Sequence, residues 1–160
     1  MKALILSIFA ALTLIAAPLR ADVDIQEVTS PNGHKAWLVE DHTIPFIALR
    51  LGFKGGGSLD RPDKRGAVSL MMALLEEGTG ELDARGFAQA VDELAASFNF
   101  DASDDSVSIS AKMLTENRAE AIELLKGALT APSFEQSAID RVKAQVVSML
   151  QSDTKDPNEI

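Results

Sequence analysis

The sequence contains no cysteine and only two histidines, His34 and His42, among its 160 residues. The absence of cysteine excludes disulfide frameworks, cysteine-ligated zinc sites, iron–sulfur clusters and thiol nucleophiles. Any metal centre would need one or both histidines together with carboxylates. Because both histidines lie in or beside predicted turns, and no His-x-x-x-His or His-x-x-Glu-His spacing occurs, we expect them to be surface residues.

Basic residues are also scarce. The 15 Lys and Arg residues are outnumbered by 24 Asp and Glu, which gives a formal net charge of −9. The calculated pI is about 4.6. A nucleic-acid binder needs a basic face to neutralise phosphates, so we expect no nucleic-acid partner. Adhesion to anionic lipid is disfavoured for the same reason. The apolar and charged fractions, 46% and 24%, are typical of one globular domain.

An uncharged stretch covers residues 3–17 and follows the basic start Met1-Lys2. A helix of this length spans about 22 Å, which is less than the roughly 30 Å of a bilayer core. The small residue Ala21 before Asp22 fits a signal-peptidase cut, so we predict a signal peptide over 1–21 and a bacterial periplasmic or secreted protein. The mature chain would carry 13 − 24 = −11, and it would meet a membrane only through this segment. An uncleaved membrane anchor is the alternative.

Alternating apolar and polar residues predict two hairpins with one further strand between them. The predicted strands cover 23–28, 35–40, 46–53, 97–102 and 106–113. Four helices are predicted over 67–75, 84–96, 116–130 and 135–152. This order indicates an α+β fold, in which helices pack on one face of an antiparallel or mixed sheet.

The four predicted helices are supported by different sequence signals. The first helix is apolar nearly all round, so we expect it to be buried on all sides and to end at Gly78. Asp83 and Thr115 are the predicted N-caps of the second and third helices. Ser133 and Gln136 have the spacing of a capping box for the fourth helix.

Two other motifs have weak functional signals. The glycines 55–57 lack the Lys-Ser/Thr pair of a phosphate loop, and we expect a flexible turn between strand and helix. Asp101, Asp104 and Asp105 lie close together, but a calcium loop would need further ligands and a central glycine. We therefore expect these aspartates in a solvated hairpin turn.

Several motifs between Trp37 and Pro157, in a fixed order, resemble the N-terminal half-unit of the M16 family of insulinase, pitrilysin and mitochondrial processing peptidase. The matching pieces are Leu38-Val39-Glu40-Asp41, Gly57–Pro62, Arg65-Gly66-Ala67, Leu74–Thr79, the hairpin 98–113 and Arg141–Leu150. The resemblance implies the LuxS/MPP-like metallohydrolase fold. Units of this family are usually much longer, so we expect residues 22–160 to form a partial M16 N-terminal-like domain.

Active relatives carry His-x-x-Glu-His on the helix before a Gly-Thr pair, where the histidines bind zinc and the glutamate acts as base. Counting back from Gly78-Thr79 places these positions at Ser69, Met72 and Ala73, and the third zinc ligand falls at Leu150 or Met149. None of these residues is a usable ligand or base. The resemblance therefore implies a non-catalytic member with no catalytic residue, no metal ligand and no cofactor.

In this family such subunits often pair with an active homologue and help to hold an extended peptide substrate, and some support complex assembly. The resemblance thus implies an exported, non-catalytic subunit with two partners, an active M16 zinc peptidase and an extended peptide. Two alternatives stay open at this point. One is an active M16 zinc metalloendopeptidase with atypical ligands, and the other is an unrelated periplasmic binding module.

Overall fold

The computed structural model of the protein describes residues 23–153. The strands are β1 Ile25–Thr29, β2 Lys35–Val39, β3 Phe46–Lys54, β4 Gly78–Thr79, β5 Leu82–Asp83, β6 Ser97–Ala102 and β7 Ser106–Leu114. The helices are α1 Ala67–Leu74, α2 Ala84–Glu93, α3 Arg118–Thr130 and α4 Gln136–Asp153, with one 3-10 turn over Gly57–Leu59. The predicted signal peptide over 1–21 and its cut before Asp22 lie outside the described residues.

Residues 23–153 divide into two compact units, with the boundary between Thr43 and Ile44. In the first unit β1 and β2 form the predicted antiparallel hairpin, with Ile25 opposite Val39. The Gly33 N–H donates to the Ser30 carbonyl over 2.9 Å and closes the turn. Gly33 has a φ of +83°, a conformation that glycine adopts without a steric cost.

The second unit is built on a three-stranded antiparallel sheet in the order β3-β7-β6. The alternation in β7 is confirmed, because Ile109, Ala111 and Met113 are buried on one face. Both α1 and α3 cover this face, and the cluster holds Met72, Leu75, Ile109, Ala111, Met113, Ala121 and Leu125. The predicted α+β class, with helices packed on one face of an antiparallel sheet, is confirmed.

The start of α3 differs from its prediction. Thr115 is not the N-cap, because its N–H donates to the Pro45 carbonyl and the helix begins only at Arg118. Strand β7 runs as far as Leu114, so the chain needs a turn before it can enter the helix. The N-cap position belongs to Asn117, whose side-chain amide donates to the Leu94 carbonyl over 2.9 Å instead of capping its own helix.

The predicted capping box of α4 is also wrong. The Ser133 N–H donates to the Gly78 carbonyl over 3.1 Å, and its hydroxyl makes no hydrogen bond with any described residue. Gln136 donates forward to Asp140 rather than back to a capping residue. The segment before α4 is thus fixed by its contact with Gly78, which the local spacing of residues does not reveal.

The ends of the first two helices were predicted with mixed success. Asp83 is confirmed as the N-cap of α2, because its carboxylate accepts from the Gly86 N–H over 2.8 Å. Helix α2 ends at Glu93, three residues before the predicted end. Helix α1 ends at Leu74, and Gly78 is not its cap but the first residue of β4.

No helix within residues 23–153 has the length and apolar character required to cross a bilayer.

Candidate functional site

Helix α1 carries Ser69, Met72 and Ala73, the three residues that we predict from the sequence to stand at the zinc-motif positions of active M16 relatives. Ser69 is exposed, Ala73 is half-buried and Met72 is only 2% exposed. The prediction that α1 is buried on all sides is therefore wrong, since Ser69 and Met71 face solvent. Residues four apart share one face of a helix, so Ser69 and Ala73 lie on the same side of α1. Met72 instead belongs to the core that α1 forms with β7.

Helix α4, which carries the predicted position of the third ligand, packs against α1. A second apolar cluster joins the two helices and contains Leu70, Ala73, Leu74, Ala138, Ile139 and Val142. Ala73 is thus in contact with the first half of α4. Met149 is 59% exposed in the second half of α4. Leu150 lies in the same helix, but its side chain is outside the described part of the structure.

The residues present do not fit a zinc ion. Zinc in proteins takes imidazole, thiolate or carboxylate ligands, whereas Ser69, Met72 and Ala73 offer a hydroxyl, a thioether and a methyl group. Across residues 23–153 no three His, Cys, Asp or Glu side chains come close enough together to hold a metal ion. Both histidines lie at the surface in the first unit, as expected, and His42 lies 3.7 Å from Glu40.

Two glutamates follow α1 directly. Glu77 pairs with Arg141 of α4 through both of its carboxylate oxygens, and one of these contacts measures 3.1 Å between Oε1 and Nη1. The Glu77 side chain is 13% exposed and that of Arg141 is 48% exposed. The hydrogen bonds and negative charge of Glu77 raise the pKa of the Arg141 guanidinium. This ion pair fastens the end of α1 to α4.

Glu76 has no such partner. Its carboxylate makes no hydrogen bond or ion pair with any residue that the structure describes. Partial burial, and secondarily the charge of Glu77, raise the pKa of the Glu76 carboxyl above its ordinary value. The ionised side chain of Glu76 is therefore held where its charge is poorly compensated.

Glu76, Glu77 and Arg141 border a cleft of about 390 Å³. The inner face of α2 and the start of β6 form its floor, on which the Phe87 and Phe98 rings lie 6.3 Å apart between centroids. The two rings are inclined at 47°, a tilted arrangement that is favourable for aromatic pairs. The lining also includes Ala84, Ala88, Val91 and Asp92. This cleft was not found from the sequence, because its lining comes from separate elements that only the folded chain brings together.

The glycine-rich loop after β3 is held by the β6–β7 turn and is not the flexible turn that we expected. The N–H groups of Gly55, Gly57 and Ser58 donate to the carbonyls of Asp105, Ser103 and Asp104 over 2.7 to 2.9 Å. Gly56 is buried between them, and a Cβ there would lie 2.0 Å from the Ser103 oxygen. The three-residue glycine run was the only sequence signal of this contact.

The next part of that loop positions α1. The Asp60 carboxylate accepts from the Gly66 N–H over 2.7 Å and from the Val68 N–H over 3.1 Å. The first N–H groups of a helix lack partners within the helix, and the N-cap residue Gly66 has no side chain that could accept from them. Asp60 therefore caps α1 from the preceding loop.

Strand β6 forms one edge of the three-stranded sheet, since its only partner among the described strands is β7. Ser97, Asn99 and Asp101 are exposed and alternate with half-buried residues. An edge strand leaves a row of N–H and C=O groups without partners in the sheet. The geometry is therefore suited to the addition of a further strand.

Residues 35–159 match the family model described as Insulinase (Peptidase family M16). The chain belongs to this family. The alternative of an unrelated binding module is thereby excluded.

Two proteins similar to this chain are themselves described as a non-peptidase homologue and as an inactive domain. The chain is 40% identical over 111 residues to the "Non-peptidase homolog YmxG" of Helicobacter pylori (strain ATCC 700392 / 26695), a match that covers 69% of this chain and 26% of the relative. It is also similar to the crystal structure of a peptidase M16 inactive domain from Pseudomonas fluorescens, with a TM-score of 0.79 and 27% identity over 86% of this chain and 34% of the other.

The chain thus spans about a quarter of the length of the curated relative and about a third of the crystallised one. Its recognition as a non-catalytic M16-like domain is confirmed by the family match and by both relatives.

Proposed function

We propose that this chain is the domain of an exported, non-catalytic M16 subunit that holds an extended peptide and works beside an active M16 zinc peptidase. The substituted motif on α1 is the observation that carries the proposal. We assign Met72 to the position of the catalytic glutamate, and this residue is 2% exposed within the apolar core. A thioether in the core cannot take a proton from water, and Ser69 and Ala73 supply no imidazole for a metal.

The edge of β6 supports the peptide-holding part of the proposal. An extended peptide that pairs with this strand gains main-chain hydrogen bonds without any need for a metal or a nucleophile. Ser97, Asn99 and Asp101 are exposed on the polar face of β6. Among the described strands, none pairs with the outer edge of β6.

A pull-down tests the partnership. The tagged full-length protein is expressed in its own organism and purified from the exported fraction, with a tagged exported protein of unrelated fold as the control. We expect a second M16 chain with an intact His-x-x-Glu-His motif to co-purify, identified by mass spectrometry. Recovery of the protein without any such chain contradicts the partnership. The intact mass of the purified protein tests export, because cleavage before Asp22 removes 21 residues.

Fluorescence anisotropy tests whether the edge of β6 holds a peptide. The probe is a labelled nonapeptide of alternating serine and threonine, and its matched control carries N-methyl groups on alternate amides. We expect the unmodified peptide to bind at least about tenfold more tightly, because N-methylation removes the N–H groups that pair with an edge strand. Equal binding of the two peptides would show that strand addition does not occur.

A further inference from the structure

The three-stranded sheet of the second unit has an exposed face opposite the core. Ile109, Ala111 and Met113 of β7 face the core, so the residues between them point to the opposite side of the sheet. Directly paired residues of neighbouring strands share one face, and Arg50 of β3 is paired with Ser110 of β7. We call this side the open face, and its exposed residues include Ala48, Arg50, Ser97, Asn99, Asp101 and Lys112.

A second cleft, of about 260 Å³, lies at one end of the open face, where β3 and β6 begin and β7 ends. Its apolar surface comes from Phe46 and Leu114, which are paired neighbours on β3 and β7, and from Ala95 and Ala96 before β6. Phe46 is 44% exposed, although phenylalanine is among the residues most often buried in folded proteins. The second cleft therefore presents apolar surface that one apolar side chain can cover.

The polar side of the second cleft is cationic. Lys112 lines it, and Arg50 is the diagonal neighbour of Lys112 on the open face, within reach of long side chains. Neither makes a hydrogen bond or ion pair with any residue that the structure describes. Asp101, the one carboxylate among the described strand residues of the open face, lies towards its other end and accepts from the Asn99 amide. The two cations are therefore suited to an anionic group.

The close approach of apolar surface and positive charge decides which anion fits. The last residue of a peptide carries its side chain and its carboxylate on the same Cα, so an apolar side chain can enter the cleft while the carboxylate faces Lys112 and Arg50. Asp and Glu carry the carboxylate at the end of the side chain and would leave the apolar surface uncovered. The strand direction agrees, because a peptide antiparallel to β6 ends beside Ser97, which begins β6 and lines the cleft.

We propose that the second cleft receives the C-terminal residue of a peptide, with its apolar side chain on Phe46 and Leu114 and its carboxylate at Lys112 and Arg50. The inference rests on the proposed function, because it takes the peptide held at the β6 edge as the ligand. It adds a preference for a free C-terminus with an apolar last residue.

Matched peptides test this preference. The probe is the serine–threonine nonapeptide with leucine as its last residue, a free carboxylate and the label at its N-terminus. One control peptide has a C-terminal amide, and the other ends in serine. Fluorescence anisotropy is measured with the full-length protein in about 0.1 M NaCl, where a Debye length of about 10 Å screens repulsion from distant carboxylates.

The same titrations are made with Lys112→Gln, Arg50→Gln and the double variant. Lys54→Gln is the charge-matched control, because Lys54 is exposed on the same side of β3 but does not line the cleft. We expect the leucine acid to bind about five- to tenfold more tightly than either control peptide. The double variant should reduce the preference for acid over amide to less than about twofold and keep its affinity for the amide, whereas Lys54→Gln should retain the preference.

Equal binding of the acid and amide peptides overturns the C-terminal inference but leaves strand addition intact. A preference for the acid that survives in the double variant also overturns it. Octanoate, a free apolar carboxylate, is the competitor, and tighter binding of octanoate than of the leucine acid would identify a fatty-acid site and overturn the peptide assignment. Failure of all three peptides to bind overturns strand addition as well.

Discussion

Gly56 is the glycine whose surroundings leave the least room for a side chain. Its backbone passes so close to the β6–β7 turn that an added Cβ would meet the carbonyl oxygens of Ser103 and Asp104 at 2.0 and 3.0 Å. Neither oxygen can move freely, because both accept hydrogen bonds from the neighbouring loop residues Gly57 and Ser58. The packing of a loop on a hairpin turn therefore depends on the absence of one methyl group.

Gly56→Ala should lower the free energy of unfolding by about 1–3 kcal/mol or more, because relief of the clash must separate the loop from the turn. Chemical denaturation of the full-length protein measures this. Gly52→Ala on the exposed face of β3 is the matched control, since a Cβ added at Gly52 would meet no described atom within 4 Å. It should change stability by only about 0.5 kcal/mol. Equal effects of the two substitutions would refute the close contact.

Glu76 gives a prediction for pH dependence. Its carboxyl has a raised pKa in the folded protein, so the folded state binds the proton more tightly than the unfolded chain does. Stability that depends on this group is therefore highest below the ordinary pKa of 4.5 and falls as the pH rises through the raised value. At neutral pH the ionised carboxylate is a destabilising group.

Glu76→Gln should consequently raise the free energy of unfolding at pH 7, by less than about 1 kcal/mol because the side chain is only partly buried and solvent screens its charge. The gain should disappear below about pH 4, where the carboxyl is neutral in both states. Denaturant titrations from about pH 3.5 to 8 measure the difference, with Glu120→Gln subtracting the general effect of one fewer negative charge. A gain that is the same at all pH values would contradict this account.

At the scale of elements, α1 has different environments on its different faces. One face completes the core on β7 through Met72, a second contacts α4 through Leu70, Ala73 and Leu74, and a third exposes Ser69. The zinc-motif positions therefore differ in what a polar replacement would cost. Only the replacement at Met72 puts a charge into a fully apolar environment.

The variant Ser69→His/Met72→Glu/Ala73→His/Leu150→Glu places the family's ligands and base at the predicted positions. Without zinc it should be less stable by about 1–3 kcal/mol or more, and Met72→Glu alone should account for most of this loss because it buries an unpaired carboxylate. Zinc should raise the melting temperature of the fourfold variant and leave that of Met72→Glu unchanged. Thermal melts with and without zinc measure this, and a fourfold variant that does not respond to zinc would contradict the assigned positions.

The elements themselves show which parts of the fold were predictable from the sequence. The β7 strand and the Asp83 cap were predicted correctly because alternation and capping are local patterns within a few residues. The caps at Thr115 and Ser133 were wrong because these residues bond to Pro45 and Gly78, far away in the chain. The cleft, and the hydrogen bonds between the glycine-rich loop and the β6–β7 turn, likewise depend on contacts between residues distant in the chain, which no local pattern contains.

The candidate site divides in the same way. The zinc-motif positions are predicted by counting back from Gly78-Thr79, and the structure places Ser69, Met72 and Ala73 on α1. The Glu77–Arg141 pair could not be found in this way, because its two residues are 64 positions apart. Glu77 and Arg141 come close together because α1 and α4 pack against each other through apolar side chains.

For the whole molecule the dominant electrostatic feature is its net charge of −9, because carboxylate side chains outnumber basic ones. Self-repulsion of this kind destabilises a compact state, and salt screens it because the Debye length falls to about 10 Å at 0.1 M. The opposing contribution comes from ion pairs such as Glu77–Arg141, which salt weakens. The sign of the salt effect therefore shows whether repulsion or pairing prevails.

With 24 acidic against 15 basic residues, repulsion should prevail, and the melting temperature at pH 7 should rise by about 2–4 °C between 20 and 300 mM NaCl. The rise should shrink at pH 5, close to the calculated pI of about 4.6, where the net charge is small. Arg141→Gln should show a larger salt-dependent rise than the unmodified protein, because it removes a salt-sensitive attraction and one positive charge, which makes the net charge more negative. A fall in the melting temperature with salt at pH 7 would show that the ion pairs contribute more than the excess of carboxylates.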